Sequence, residues 1–469
     1  MKTKLLCLLS TFQWHAVVLG VGGYFLLSTS VFPQGSLTPP GPPAPTMKTL
    51  DQVEARTLIK ALPYTISAEG SYYVTASLTT TPSSDGITVN ASNVAIDLNG
   101  FEVIGNGGTK SGVFLNGGVT NVSIRNGTIR NWGGNAINGA GNISVRVVDV
   151  TALSITGSGA FYLDQKASVI RCVSDGNVGV GINVLAHSVV RDCQVIGTTG
   201  SPGDGISLPG GEADCTISGC VISLNSGHGI TGGSDGTIEN CTANSNTLNG
   251  INLGTGWSIS HCSANRNSAT GIVTGNSIIS DCTAEGNTSG GAGFDIGSQS
   301  RITNSVSNGN NGAGIVASVQ STIKQCSANG NNGVGINTAA QGTVKQCSVN
   351  NNHGDGILAA SSCVIAENHC ESNGTSGTDA GIHATSTFNR IDGNVLTSNT
   401  TRALKVDSTN NVIIRNFAIG SATAYDIASS NEVGKIVVPF PSAAISGSSG
   451  GGLTPNTPPE PDSFTNFAN

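Results

Sequence analysis

Between Val169 and Asn416 one phrase recurs: an apolar residue, two more residues, a cysteine, four residues, an asparagine, a short gap and then Gly-Ile. The cysteine slot is filled by Cys172, Cys193, Cys220, Cys241, Cys262, Cys282, Ser305, Cys326, Cys347, Asn368, Asn394 and Asn416, mostly 20 to 23 residues apart. A unit that short cannot hold two helices. It has the length of one turn of a coiled β-sheet, whose apolar residues are buried only when neighbouring turns stack on it.

Within a turn such as Ile238-Glu239-Asn240-Cys241-Thr242-Ala243, alternation places Ile238, Cys241 and Ala243 inward. Asn240 then takes the left-handed bend that Asn and Gly tolerate. The same bend slot holds Asn126, Asp192, Gly219, Asp281, Asn304 and Gly393. A second column, five residues after the cysteine slot, runs Asn225, Asn246, Asn267, Asn287, Asn310, Asn331, Asn352, Asn373 and Asn399. Amides stacked at this repeat can hydrogen-bond from turn to turn and satisfy the corners. The Gly-Ile pairs form a third column, and insertions gather before it, as in Thr198 to Gly205 and Asn373 to Gly381.

The composition agrees: 65 Gly, 10% charged and 4% aromatic residues in a chain of 469. Disorder is the competing reading for so Gly-rich a sequence, but apolar periodicity argues against it from about Ser92 to Asn431. Twelve cysteines would suggest a disulfide framework in an exported chain. Their slots say otherwise: apart from Cys7, all eleven read as small apolar fillers of the core. Disulfides between neighbouring turns are the alternative.

Lys2 and Lys4, an apolar stretch from Leu5 to Leu27 and then Ser28-Thr29-Ser30 describe a secretory signal over residues 1–32, with an uncleaved anchor as the alternative. Residues 33–48 read as a proline-rich linker. Residues 49–90 read as an amino-terminal cap with the first strands, 91–440 as the coil and 441–469 as a disordered Gly/Ser/Pro tail. A carboxyl-terminal cap is expected over Tyr425 to Phe440. Loss of the leader removes Lys2 and Lys4 and takes the formal charge from −7 to −9, which disfavours nucleic acid and acidic lipid as partners. The protein is expected outside the cytoplasm: secreted, periplasmic or on the cell surface.

The turns, with the opening Leu62-Pro63-Tyr64-Thr65-Ile66, Gly70-Ser71-Tyr72-Tyr73 and the run Val94 to Gly100, resemble those of the pectin-lyase-like superfamily over about residues 50 to 440. More narrowly, the chain is similar to exported β-helix repeat proteins of planctomycete and verrucomicrobial bacteria. The resemblance implies an all-β, single-stranded right-handed parallel β-helix of roughly 14 to 15 turns, capped at both ends. It implies no single activity, since the superfamily holds lyases, hydrolases, epimerases and binders.

Chemistry is sparse in the sequence. Polygalacturonase-like members carry Gly-His-Gly beside carboxylates, and here Gly227-His228-Gly229 faces Asp204 of the preceding turn, a pairing suited to acid/base work. The paired aspartates of that group are missing. A second cluster joins His353, Asp355, Asp379 and His383 from two successive turns, with outward Lys324 and Lys345 stacked within reach. The bland reading is a bend aspartate with an exposed histidine. Calcium is the one cation such a cluster suggests; no other cofactor is called for. Trp132 and Trp257, the tryptophans beyond the leader, offer little as sugar platforms, and Trp257 reads as core. The shortage of convergent ionisable groups favours a non-catalytic module that binds polysaccharide or envelope components. The alternative is a polysaccharide-active lyase, epimerase or hydrolase.

Overall fold

A computed structural model describes residues 54–80, 83–210, 214–437, 445–447 and 465–468. The expected signal, the linker and the first residues of the expected cap lie outside the described residues. No helix among the described residues is long and apolar enough to cross a membrane. Every strand pair among them is parallel, and each strand pairs with its counterpart one turn away. Parallel strands joined by such crossovers coil right-handedly. The chain is a right-handed parallel β-helix of about 17 turns.

Each turn lays down three short strands on three faces. In one turn these are Gly236–Glu239 on the first face, Thr242–Asn244 on the second and Ile251–Leu253 on the third. Strands of three or four residues alternate in and out, so one or two apolar side chains per face reach the interior. Ile238, Ala243 and Ile251 are fully buried and stack on their counterparts in adjacent turns. The corners are single left-handed residues. The seven positions expected at the first corner all have positive φ, from 50° at Asn304 to 68° at Gly393. Two further left-handed corners per turn, such as Ser245 and Asp235, went unread in the sequence because Ser, Gln and even Phe388 occupy them.

The eleven cysteines are free and buried, none more than 3% exposed. Eight of them fill space where the chain bends between the first and second faces, while Cys215, Cys363 and Cys370 lie in or beside the strands, and Cys241 Sγ donates to the Glu239 carbonyl at 3.2 Å. Burial pushes the Cys215, Cys363 and Cys370 thiols above their usual range, which makes them inert fillers.

Beside them runs the amide ladder. Asn310 Nδ2 donates to Asn331 Oδ1 at 2.9 Å, Asn331 to Asn352 at 2.9 Å and Asn352 to Asn373 at 2.9 Å, and each Oδ1 also accepts the main-chain N–H of the Asn one turn before. All nine members from Asn225 to Asn399 are buried. A second ladder, Asn368–Asn394–Asn416, takes over the cysteine slot where the cysteines stop. The ladder also explains Gly-Ile. A Cβ on Gly314 would stand 2.4 Å from the Gly335 carbonyl oxygen and 2.8 Å from Asn331 Nδ2. Alanine enters this slot at Ala403, where the ladder position one turn later is Ser421 instead of Asn.

Two expectations are corrected. The coil begins earlier than expected: Thr57–Ile59 and Tyr64–Ile66, placed with the cap, already pair in register with Gly70–Val74 and Ile87–Val89. These early turns lack the cysteine and asparagine slots, and strands such as Thr120–Trp132 run through the corner unbroken, so the repeat is invisible there and the turn count comes out low. At the other end, part of the expected disordered tail is ordered. Asn466–Ala468 forms a strand inserted on the second face between Phe417–Ile419 and Ile436–Val437. Asn466 is fully buried and continues the second ladder, its Oδ1 accepting from Asn416 Nδ2 at 3.2 Å, while Tyr425 OH donates to the Phe467 carbonyl.

Candidate functional site

Asp204 and Asp355 occupy the same place in their turns, the residue before the Gly that opens a third-face strand. Both are buried, and both use one carboxylate oxygen to hold the main chain of the next turn. Asp204 Oδ1 accepts from the His228 N–H at 2.7 Å, and Asp355 Oδ1 from the Ala380 N–H at 2.6 Å. The Gly-His-Gly of the sequence is thereby explained without catalysis. A Cβ on Gly227 would lie 2.3 Å from Asp204 Oδ1, so glycine is there to admit the carboxylate.

The expected Asp204–His228 acid/base pair is therefore not formed between side chains. The His228 ring points onward instead: Nδ1 accepts the Asn249 N–H at 3.2 Å, and Nε2 lies 3.5 Å from Asn252 Nδ2. Burial lowers the His228 pKa, and it raises that of Asp204.

The second cluster is brought together only in part. His353 is exposed and contributes its carbonyl to Thr375, at 2.8 Å from the N–H and 2.9 Å from the hydroxyl. Asp379 closes its own loop, Oδ2 accepting from the Thr375 and Ser376 N–H groups at 3.1 and 2.8 Å. Lys324 and Lys345 stand on the first face, away from the third-face cluster, and Lys345 pairs with Glu367 at 3.0 Å.

Asp355 and His383 do meet, and two residues missed in the sequence complete the group. His383 Nδ1 lies 3.0 Å from Asp355 Oδ2, and Nε2 lies 2.7 Å from Asp407 Oδ2. Lys405 Nζ is 3.0 Å from Asp407 Oδ1 and 3.1 Å from His383 Nε2. Lys405 is the strand partner of His383 one turn later, and Asp407 follows it by two residues. The register alone could have found them, had the insertion before Gly381 not blurred the spacing.

Both nitrogens of His383 thus lie within hydrogen-bond reach of carboxylate oxygens, which favours the protonated ring, while the Lys405 ammonium beside Nε2 opposes it. Its pKa is accordingly raised, burial opposing the charged form but the hydrogen bonds to Asp355 and Asp407 outweighing it. Asp407 is held low: burial raises it, but His383 and Lys405 lower it further. The result is an alternating chain of charges, Asp355, His383, Asp407 and Lys405, that satisfies itself. Its donor set does not suit calcium, which takes six to eight oxygens, because an imidazole and an ammonium already neutralise the two carboxylates. Among the described residues no group of three or more His, Cys, Asp and Glu is placed to hold a metal ion. Trp132 and Trp257 are both buried, so neither offers a sugar platform.

The sign of the pH dependence follows from these shifts. A raised His383 contributes stability that is full below its unfolded pKa, about 6.5, and is lost as pH rises through the folded value. A depressed Asp407 contributes above its unfolded pKa, about 3.9, and loses it as pH falls through the folded value. The stability difference between the protein and its His383→Ala variant is therefore expected to be largest between about pH 4 and 6.5 and to shrink towards pH 8. An NMR titration that placed the His383 ring below its unfolded value would refute this account.

Fold and site together define a right-handed parallel β-helix protein with a self-neutralised polar cluster on its third face. Residues 204–345 match the family described as the right handed beta helix region. No curated protein matches the chain. Solved structures similar to it include the A-module of the Azotobacter vinelandii mannuronan C-5 epimerase AlgE4, at 14% identity over 74% of this chain and 89% of that one, with a TM-score of 0.37. Another is the catalytic unit of the thermostable GH87 alpha-1,3-glucanase of Streptomyces thermodiastaticus, at 13% identity over 70% and 63%, TM-score 0.38. A third is tailspike protein 3 of bacteriophage CBA120, at 14% identity over 77% and 58%, TM-score 0.36. None of these likenesses bears on the chemistry of the site.

Proposed function

We propose that the chain is an extracytoplasmic module that binds polysaccharide or another envelope polymer along its repeated polar surface, without turning it over. The observation that carries this is the commitment of the acid/base candidates. Asp204 and Asp355 hold main-chain N–H groups, and the His383 ring spends both nitrogens on carboxylates. A general base needs a lone pair within reach of substrate, and both His383 nitrogens are already occupied, Nδ1 by Asp355 and Nε2 by Asp407 and Lys405. Meanwhile parts of the outer surface repeat from turn to turn. On the second face Asn265, Asn329 and Asn350 each donate Nδ2 to the Ser two residues before, a periodic array suited to a periodic ligand. The leader-like first residues are in keeping with this reading.

One observation favours the second reading, a lyase, epimerase or hydrolase: four ionisable groups converge on the third face, and Asp407 remains 41% exposed. The test is a screen of the protein on acidic and neutral polysaccharides, with and without calcium, following retention on the polymer as well as unsaturated products and reducing ends. Retention without product is expected. Product formation that disappears in both His383→Ala and Asp407→Ala would overturn the binding reading and establish the enzyme.

A further inference from the structure

Charge on the later turns is sorted by face. From Arg301 to Arg415 the first face and its corner carry five cations, Arg301, Lys324, Lys345, Arg390 and Arg415, against two carboxylates, Glu367 and Asp392. The remaining faces of the same turns carry two cations, Arg402 and Lys405, against four carboxylates. An excess of positive charge on one face of a chain with net charge −7 is a local field of the opposite sign to the whole.

The cations are held in two different ways. Asp392, its side chain 8% exposed, anchors both arginines: Arg415 Nε reaches Oδ1 at 2.7 Å and Arg390 NH2 reaches Oδ2 at 2.8 Å. Both guanidiniums stay more than half exposed with donors to spare. Arg301 and Lys324 make no ion pair with any described residue, and Lys324 is the direct strand partner of Lys345, so two ammonium-bearing chains sit about one strand spacing, ~4.8 Å, apart at their backbones. Glu367 matches Lys345 at 3.0 Å, which leaves Arg301 and Lys324 as the cations of the strip not matched by a described carboxylate, and an anion lying along them would relieve the repulsion.

We infer that this first face, from Arg301 to Arg415, is a binding strip for a linear anionic polysaccharide. A small ion would engage one or two of these turns, whereas cations stand on five of the six first-face turns, interrupted at Val364–Ala366 and Glu367, a spacing a polymer can follow. Between them the same columns present hydroxyls, Thr322 and Thr343, and exposed corner amides, Gln325 and Gln346, which match sugar hydroxyls. Two exposed aromatics flank the strip, Phe388 before Arg390 and Phe417 after Arg415, so binding of duplex DNA is the control that separates a polysaccharide from a nucleic acid. The strip is remote from the third-face cluster, and the inference rests on the reading that the chain contacts polysaccharide.

The experiment measures binding of the whole protein to polygalacturonate, dextran sulfate, neutral dextran and duplex DNA, alongside the double variant Arg301→Glu/Lys324→Glu. Both residues are outward and unpaired, so the variant keeps its fold, which circular dichroism checks. At least one polyanion is expected to bind, to weaken about tenfold or more in the variant, and to be released between about 50 and about 500 mM salt. Binding of only one polyanion identifies carboxylate or sulfate as the recognised group. Equal binding by the variant, or tighter binding of DNA than of either polyanion, overturns the inference. Retention of a neutral polysaccharide alone overturns it while leaving the binding reading intact; retention of none removes both.

Discussion

Replacing Asn310 with Ala is expected to destabilise the coil by about 2 to 4 kcal/mol, because it strands polar groups that water cannot reach. Asn310 is fully buried; its Oδ1 accepts from both the main-chain N–H and Nδ2 of Asn287, and its Nδ2 donates to Asn331 Oδ1 and the Ala284 carbonyl. Truncation leaves the Asn287 N–H without a partner and opens a gap beside Ser307. Since each turn touches only its neighbours, the damage should stay local. Hydrogen exchange is the measurement: protection of amides in the flanking turns should fall by roughly 30- to 1,000-fold, with the far turns unchanged. Asn332→Ala, at the exposed position next to Asn331 one turn later, should stay within about 0.5 kcal/mol. Equal protection in the two variants would mean that the ladder contributes nothing beyond filling space.

An effect at least as large is expected when Gly314 is replaced by valine. Its Cβ would meet a main-chain oxygen at 2.4 Å, and main chain locked in a ladder on both sides cannot step aside. Gly314→Ala should cost about 3 kcal/mol and Gly314→Val more, enough to open the turn. Gly309 supplies the comparison. It sits at φ +58° and a Cβ there would find nothing within 4 Å, so Gly309→Ala meets only backbone strain, about 1 kcal/mol. The expected order of thermal stability is therefore Gly309→Ala above Gly314→Ala above Gly314→Val. A tolerated Gly314→Val would show that the third-face strands are not packed as described.

The middle of the coil could be read from sequence because single residues there have single tasks. Cysteine fills a bend, Asn310 and its stacked neighbours satisfy the main chain, and Gly314 admits its neighbours; each task recurs every turn, so the slots spell the fold. Where the tasks are shared out, the reading failed. Turns before Val148 hide their corners inside long strands, and two of the three corners per turn use residues with no signature. The site was read only in part, for a related reason. Asp379 is near His383 along the chain, but the coil puts residues one turn apart side by side, and so the partners of His383 are Asp355, 28 residues before it, and Asp407, 24 after, while His353, at a similar remove to Asp355, turns outward.

The inserted rung at Asn466–Ala468 gives the coil a timetable. Every other rung is laid down by chain just made, its ladder contacts closing over 20 to 29 residues, as in Asn267 with Asn287 and Asn394 with the Ile365 carbonyl. This one joins Asn416 to Asn466 across 50. A growing chain can therefore wind up turn by turn behind the ribosome, yet its second face stays ajar beyond Phe417–Ile419 until residues 465–468 have been synthesised. In that interval the open strand is a template for any other extended segment.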